Sequence, residues 1–172
     1  MGRFAQRAIM LGILLLSIVS NRTMAQCVLA TPQLEHMQQA QIRLQDTSQK
    51  WMTINAYIAD EPVESAAGFQ HICQETIDDT FILFVYSRPY LGRFHMQNVY
   101  GNLDIAFIRE DGVVLSIQQM RAEPPGLPVK PQLYGPTQPF MYALEAREGF
   151  FAESNIEVMQ SRFDVDTFRS GQ

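Results

Sequence analysis

The sequence predicts a mainly β (β-rich α+β) fold, a compact β-sandwich or open barrel with two short helices. Several segments alternate apolar and polar side chains with the period of two that is typical of strands. Turn-forming residues separate these segments, and only "DEPVESAAGF" and "EGFFAESN" have the pattern of short helices. Many short strands with few helices are typical of these two β architectures.

The first 25 residues have the pattern of a secretory signal peptide. Two arginines precede an apolar run over residues 8–19, and a small-x-small cleavage site ends at Ala25. The alternative is an N-terminal membrane anchor, but crossing about 30 Å of hydrocarbon takes roughly 20 residues, and this run is shorter. We therefore expect residues 1–25 to be removed, no stable membrane span to remain, and the mature protein to be periplasmic or secreted.

The mature chain has the length of one domain and a negative charge. Removing a leader that holds three of the 13 basic residues and none of the 18 acidic ones takes the formal net charge from −5 to −8. Such a charge argues against nucleic acid or an anionic membrane surface as a partner. We predict a loosely ordered N-terminal segment or short helix over residues 26–40, a single β-rich domain over residues 41–166, and a tail over residues 167–172.

Two cysteines remain in the mature chain, Cys27 and Cys73. In an oxidising compartment they are expected to form a disulfide, which would close a loop of about 46 residues and stabilise the fold by on the order of 3–4 kcal/mol. The alternative is a pair of free thiols, one of them in the N-terminal segment. Neither cysteine is in a C-x-x-C arrangement, so the sequence does not favour a redox or metal role.

The predicted elements begin with a hairpin, a helix and a buried strand. Residues 41–59 form two alternating segments around the turn-forming "DTSQ". "DEPVESAAGF" predicts a short helix that Asp60 caps and Gly68 ends. "TFILFVY" is apolar on both faces, which predicts a central strand covered on both sides.

The next strand candidates are "RFHMQN", "LDIAFI" and "VVLSIQQM". The last two are joined by "EDG", either as a two-residue loop or as a three-residue loop with Gly112 left-handed. The three-residue loop separates polar from apolar faces better, and it would place Asp104 opposite Gln118 on a half-polar face. "FMYALEAR" predicts a further strand, and "SRFDV" closes the domain.

Residues 121–139 form a long loop that holds six of the nine prolines. Loops of this length are usually functional or disordered. One interpretation is an extended recognition segment. The other is a lid over an open end of the sheet, held by Leu127, Val129, Leu133 and Tyr134. A small apolar ligand would then bind beneath it, with Tyr90, Tyr100 and Tyr134 at the rim.

Four segments occur in the order and spacing of one family: "VESAAGFQHI", "FILFVY", "FHMQNVYGNLDIAFIREDGVV" and "YALEAREGFFAESNI". Over roughly residues 41–165 the chain resembles the bacterial and archaeal domain of unknown function family 192. Matching positions are Met96, Asn98, Leu103, Asp104, Ile105, Ala106, Phe107, Asp111, Gly112, Leu144 and Glu145. At six positions this chain has a residue other than the one usual in the family. Phe69 and Gln70 replace Leu and Met, His95 replaces Trp, Gln97 replaces Lys, Val99 replaces Thr, and Asn102 replaces Pro. The resemblance implies a β-rich sandwich-like fold and no established activity.

The polar residues on the predicted core strands are Asp104, Glu145, Asn98 and His95. As a catalytic site, the two carboxylates would have pKa values raised by desolvation and act as acid and base, His95 would shuttle a proton, and Asn98 would orient a ligand. As structural residues, Asp104 would accept backbone N–H bonds, and Asn98 would close the "NVYGN" connection. Glu145 would pair with Arg93 or Arg147.

Further ligand-binding candidates are Asn98, Tyr100, Gln118 and Tyr134. The three histidines lie 35 and 24 residues apart without a His-x-His or His-x-x-x-His spacing, so we expect neither a metal site nor a cofactor. A Ser-His-Asp, Cys-His or phosphate-loop signature is also missing from the sequence.

The sequence therefore predicts a non-catalytic binding or accessory module of the cell envelope, which holds an unknown small ligand or an envelope protein. The alternative is a carboxylate-based hydrolase or transferase that uses Asp104 and Glu145, and a third interpretation is a purely structural envelope protein. An enzyme should have both acids in one solvent-reachable cleft. A binding module should have an aromatic-lined concavity or an exposed apolar patch.

Overall fold

The computed structural model describes residues 26–126 and 130–171. The predicted signal peptide and the lid residues Leu127 and Val129 lie outside the described residues. The helices are α1 (Pro32–His36), α2 (Pro62–Ala67), α3 (Gln74–Asp78), α4 (Phe150–Glu153) and α5 (Val165–Ser170). The strands are β1 (Gln38–Gln45), β2 (Trp51–Ala59), β3 (Ile82–Tyr90), β4 (Leu103–Ile108), β5 (Val114–Met120), β6 (Phe140–Arg147) and β7 (Arg162–Phe163).

All seven strands belong to one mixed sheet with the order β5-β4-β6-β3-β2-β1-β7. Only β2 and β3 pair in parallel, and every other neighbouring pair is antiparallel. The predicted mainly β class is therefore confirmed, as an open sheet. Its described part carries five short helices, where the sequence predicts two.

The sheet curls until its two ends meet at one corner. Residues 159–163, which lead into and form β7, lie beside residues 112–114 at the start of β5. Two backbone bonds of 2.8 Å join them, from the Met159 N–H to the Val114 carbonyl and from the Phe163 N–H to the Gly112 carbonyl. The strand ladder does not continue around this corner, so the sheet remains open rather than forming a closed barrel.

Each face of the sheet carries its own hydrophobic core. On one face, α4 and α5 cover the sheet, and we call it the α4–α5 face. On the other face, α3 and the connection after α2 cover the sheet, and we call it the α2–α3 face. The buried side chains of the first core include Leu44, Ile58, Leu83, Ala106, Leu144, Phe151 and Phe168. Those of the second include Phe69, Ile77, Ile82, Phe84, Ile105, Phe107 and Phe140.

The early elements form as the sequence predicts, with two exceptions: the N-cap of α2 is Glu61 rather than the predicted Asp60, and one predicted strand is missing. β1 and β2 make the expected hairpin, whose turn is fixed by the Asp46 carboxylate accepting the Lys50 N–H at 2.8 Å. β3 lies between β2 and β6, and its first residues are fully buried. The predicted strand "RFHMQN" is wrong. Residues 93–98 make only isolated bridges, because Phe94 pairs with Tyr134 of the proline loop instead of joining the sheet.

The β4–β5 turn has the predicted left-handed glycine, with Gly112 at a φ of 87°. The predicted register is correct beside the turn, where Ile108 lies opposite Val114, and wrong beyond it. A bulge shifts the pairing between Phe107 and Ile108, so that Leu115 is skipped and Asp104 lies opposite Gln119 rather than Gln118. An extra residue in one strand moves every later side chain to the other face.

The N-terminal segment is attached to the fold beside α3. Cys27 and Cys73 lie at disulfide distance, with Cα atoms 4.9 Å apart. Val28 also exchanges backbone bonds of 2.8 Å with His71 and Cys73. Residues 26–40 include α1 and the start of β1, and α5 occupies most of the region where the sequence predicts a tail. None of the helices in the described part of the chain is long and apolar enough to cross a membrane.

Candidate functional site

The pairing of β4 with β6 decides where the two predicted acids face. Ile105 lies opposite Glu145, and Asp104 lies opposite Ala146. Directly paired residues share a face of a sheet, and successive residues alternate between faces. Glu145 therefore faces the α2–α3 core and Asp104 faces the α4–α5 core, so the predicted shared cleft of two carboxylates does not form.

A cavity of about 340 Å³ opens on the α2–α3 face. Its wall comes from residues 65–70 at the end of α2, from β3, and from residues 93–95. The pairing of β3 with β6 is irregular between Val85 and Tyr90, and it resumes at Tyr90, which lies opposite Phe140. The side chains of Phe84, Tyr86, Tyr90 and Phe94 line the cavity, together with the charged or titratable side chains of Glu145, Arg93 and His95.

Glu145 is the buried polar residue of this cavity, with only 5% of its surface exposed. Its Oε2 atom has no hydrogen-bond partner among the described residues. Burial raises the pKa of the Glu145 carboxyl to about 8, so the carboxyl is mostly protonated at neutral pH. A buried polar atom without a partner destabilises a folded protein, so this oxygen is a position where a ligand donor would be stabilising.

Gly68 leaves this carboxyl open to the cavity. It ends α2 with a φ of 47°, in the left-handed region that favours glycine. A Cβ atom at this position would lie 3.6 Å from Glu145 Oε2 and 3.5 Å from the Phe84 ring. A larger side chain at residue 68 would therefore cover the unpaired oxygen.

The aromatic side chains support one another as a wall. Tyr86 and Tyr90 stack with ring centroids 4.6 Å apart, and Phe84 meets Phe94 edge to face at 5.0 Å. Burial, Tyr90 and Glu145 raise the pKa of the Tyr86 hydroxyl, so it remains a protonated donor beside the carboxyl. The wall combines apolar ring faces with polar atoms at fixed positions, as small-molecule sites do.

Arg93 and His95 are exposed, so they lie at the outer end of the cavity. Arg93 Nη1 donates to the Pro136 carbonyl at 3.0 Å. His95 Nδ1 accepts the Gln97 N–H at 3.3 Å. Phe94, between them, is fixed by two backbone bonds to Tyr134, of 2.8 and 2.9 Å. The outer end thus carries a guanidinium whose position the proline loop sets.

The other predicted ligand-binding residues lie outside the cavity. Asn98 has a left-handed backbone, with a φ of 63°, and its Nδ2 donates to the Gln70 side chain at 3.2 Å. Asn98 therefore does not line the cavity but holds Gln70, which does. Gln118 holds Gly135 through both ends of its amide, at 3.1 and 3.0 Å. Tyr134 is buried, and its hydroxyl accepts the Arg121 N–H at 3.1 Å.

Tyr100 is half-buried and is not part of the cavity lining. Glu145, His95 and the predicted rim residue Tyr90 are therefore the sequence-predicted residues that the fold brings together. The sequence analysis did not single out Tyr86 or Phe94, and it named Arg93 only as an ion-pair partner of Glu145, a pair that is not among those of the described residues. A signal for Tyr86 existed, because Tyr86 and Tyr90 continue the buried strand "FILFV" at even spacing, which places both on one face.

Asp104 occupies a separate cavity of about 330 Å³ on the α4–α5 face, beside Gln119 and Asn155. Its Oδ2 accepts the Gly149 N–H at 2.9 Å, and its Oδ1 has no partner among the described residues. Burial raises the pKa of the Asp104 carboxyl, and the Gly149 N–H opposes this shift. Across residues 26–126 and 130–171, no group of three or more His, Cys, Asp and Glu side chains is placed to hold a metal ion.

Comparisons with known proteins match this fold. The model of the DUF192 family, described as "Uncharacterized ACR", matches residues 42–161 and confirms the resemblance that the sequence predicts. A comparison with curated proteins found no match.

Two solved crystal structures are similar to most of this chain. One, named as a proposed transcription regulator from Sinorhizobium meliloti 1021, is 21% identical with a TM-score of 0.64, over 74% of this chain and 94% of that one. The other, a protein of unknown function from Novosphingobium aromaticivorans DSM 12444, is 22% identical with a TM-score of 0.64, over 81% of this chain and 95% of that one. At this identity the likeness shows the shared fold alone.

Proposed function

Because the chain belongs to the DUF192 family, whose description gives no activity, we propose a function from the geometry of the α2–α3 face. The protein is a non-catalytic small-ligand binding module of the cell envelope, and the cavity beside Glu145 holds the ligand. One observation carries this proposal: Glu145 Oε2 is buried, unpaired and part of the cavity lining. A ligand donor that pairs with this oxygen removes a desolvation penalty that the unliganded protein bears.

The geometry favours binding over catalysis by a carboxylate pair. General acid–base chemistry needs both groups within hydrogen-bond reach of one substrate. Glu145 and Asp104 face opposite sides of the sheet, where they line separate cavities. The aromatic side chains around Glu145 instead meet the expectation for a binding module.

The envelope location rests on the leader pattern of residues 1–25 and on the Cys27–Cys73 pair at disulfide distance. The test is to express the full chain, separate cytoplasm from envelope, and read the N-terminus of the purified protein by mass spectrometry. The expected protein begins at Gln26 and is found outside the cytoplasm. A cytoplasmic protein that retains its leader would refute this part of the proposal.

Ligand binding is tested by thermal shift of the mature protein against four probe classes: amino acids, simple amines, sugars and carboxylic acids. The expected result is that at least one class raises the melting temperature, and that Glu145→Gln reduces this rise. Asp104→Asn is the matched control, because Asp104 is an equally buried acid with one unpaired oxygen on the opposite face. If no class raises the melting temperature, or both variants lose the rise equally, the cavity is not the binding site.

A further inference from the structure

The Glu145 carboxyl lacks an ion-pair partner among the described residues. Burial is the cause of its raised pKa, and no neighbouring cation opposes it. A buried carboxyl without a neighbouring cation is stabilised more by a cationic ligand than by a neutral one, because a charge-assisted hydrogen bond is about twice as strong as a neutral one.

The surrounding side chains are also suited to a cation. The faces of aromatic rings attract ammonium groups that lie over them, by about 0.5–2 kcal/mol. Phe84, Tyr86, Tyr90 and Phe94 line the same cavity as the Glu145 carboxyl. An ammonium group beside Glu145 would therefore meet a carboxylate and ring faces together, and its carbon skeleton would contact apolar surface.

The outer end of the cavity carries a positive charge, the guanidinium of Arg93. Arg93 is exposed, forms none of the described ion pairs, and uses Nη1 for the Pro136 carbonyl. A guanidinium has five N–H donors in a planar fork that matches a carboxylate. A simple amine would meet a like charge at this end, whereas a ligand with an outer carboxylate would pair with it.

From this arrangement we propose the ligand class, an inference that rests on the binding function proposed above. The cavity binds a small zwitterion of the amino-acid class, with its ammonium group on Glu145 and its carboxylate on Arg93. The buried acid, the aromatic wall and the exposed guanidinium each recognise one part of such a molecule: the amine, the apolar body and the acid.

Binding is coupled to the loss of a proton. The ligand amine arrives already protonated, so the Glu145 carboxyl gives its proton to the solvent as the ion pair forms, and no covalent bond changes. The other titratable or charged groups that line the cavity are Tyr86, Tyr90, Arg93 and His95, since residues 65–70 of the α2 wall are uncharged. With a Glu145 pKa of about 8, binding at pH 7 is expected to release close to one proton.

The first experiment is calorimetric titration of the wild-type mature protein with the common amino acids at pH 7, in two buffers of different ionisation enthalpy. The expected result is binding of at least one amino acid, with a buffer-dependent enthalpy that corresponds to about one released proton. This measurement needs no variant, so it stands even if a substitution at Glu145 prevents folding. Failure of every amino acid to bind the wild-type protein would overturn the proposed ligand class.

The second experiment compares the best amino acid with two analogues, its amide, which lacks the carboxylate, and the corresponding acid without the amine. Both are expected to bind at least about 10-fold more weakly. Arg93→Gln should remove the preference over the amide, and Glu145→Gln should remove the preference over the amine-free acid. Arg162→Gln is the control for Arg93, because Arg162 is also exposed and also donates to a backbone carbonyl.

The outcomes separate this inference from the proposed function. If sugars or uncharged probes bind in a Glu145-dependent manner and amino acids do not, the ligand class is refuted and the binding function stands. If no probe binds the wild-type protein, both are refuted. If amino acids bind and neither Arg93→Gln nor Glu145→Gln changes their affinity, the assigned orientation in the cavity is wrong.

Discussion

Glu145 makes the stability of the unliganded protein depend on pH. Its pKa of about 8 in the fold is above the ordinary value of 4.5, so the folded state holds a proton that the unfolded state has already lost. The stability contributed by this group is fully present below pH 4.5 and is lost as the pH rises through 8. The loss is on the order of a few kcal/mol.

We therefore expect Glu145→Gln to melt near the wild-type temperature at pH 5 and above it at pH 8, in calorimetric scans of the ligand-free proteins. The glutamine stays neutral and preserves the side-chain shape, so only the charged state of the wild type is penalised. Equal melting temperatures at both pH values would show that Glu145 ionises without a penalty, and that the cavity is wetter than its burial indicates.

Asp104 combines one satisfied and one unsatisfied oxygen on the α4–α5 face. Asp104→Asn keeps an acceptor for the Gly149 N–H and removes the buried charge, so its melting temperature at neutral pH is expected to be unchanged or higher. Asp104→Ala leaves the Gly149 N–H without its acceptor, and is expected to destabilise the fold by about 1–3 kcal/mol in urea unfolding. A loss of several degrees in Asp104→Asn would contradict this interpretation and make the carboxylate itself a structural requirement.

At the scale of elements, the proline loop is held to the sheet by Gln118. Its amide makes two bonds to the backbone of Gly135, at 3.1 and 3.0 Å, close to the Pro136 carbonyl that positions Arg93. Gln118→Ala should lower stability by about 1 kcal/mol and speed amide hydrogen exchange in residues 130–138. The matched control is Gln119→Ala, an exposed neighbour on the opposite face of β5. Equal exchange in both variants would mean that the loop is held by other contacts.

The sequence was sufficient to predict elements whose signals are local. The alternation in β1 and β2, the apolar run of β3 and the glycine that ends the β4–β5 turn each depend on neighbouring residues, and the structure confirms them. The bulge that skips Leu115 has no comparable local signal, because "VVLSIQQM" alternates acceptably in two registers. Because Leu115 is skipped, Asp104 lies opposite Gln119 instead of the predicted Gln118.

The candidate site was less predictable because pairing between distant strands creates it. Asp104 and Glu145 are each visible as acids in apolar segments, yet their opposite orientation depends on the β4–β6 register, which joins residues about 40 positions apart. Arg93 reaches the cavity because Phe94 pairs with the proline loop, and that contact is also non-local. The residue types at the site were predictable in part, and their common location was not.

At the scale of the whole molecule, the Cys27–Cys73 pair ties the segment before α1 to the segment that carries α3. A bridge across 46 residues is expected to stabilise the fold by about 3–4 kcal/mol. Reductant should therefore lower the melting temperature of the wild-type protein by several degrees. A double variant, Cys27→Ser with Cys73→Ser, should melt like the reduced protein and ignore reductant. A wild-type melting temperature that reductant leaves unchanged would mean that the bridge does not form or does not stabilise the fold.

The corner where residues 159–163 bond to residues 112–114 has a consequence for association between copies of the chain. The outer strands of an open sheet normally offer free backbone donors and acceptors, which recruit extended segments of other molecules and nucleate fibrils. Here one border ends in a strand of only two residues, and the other begins with backbone groups already occupied by the same chain. At this corner the same chain therefore already occupies the backbone groups with which a foreign strand would otherwise pair.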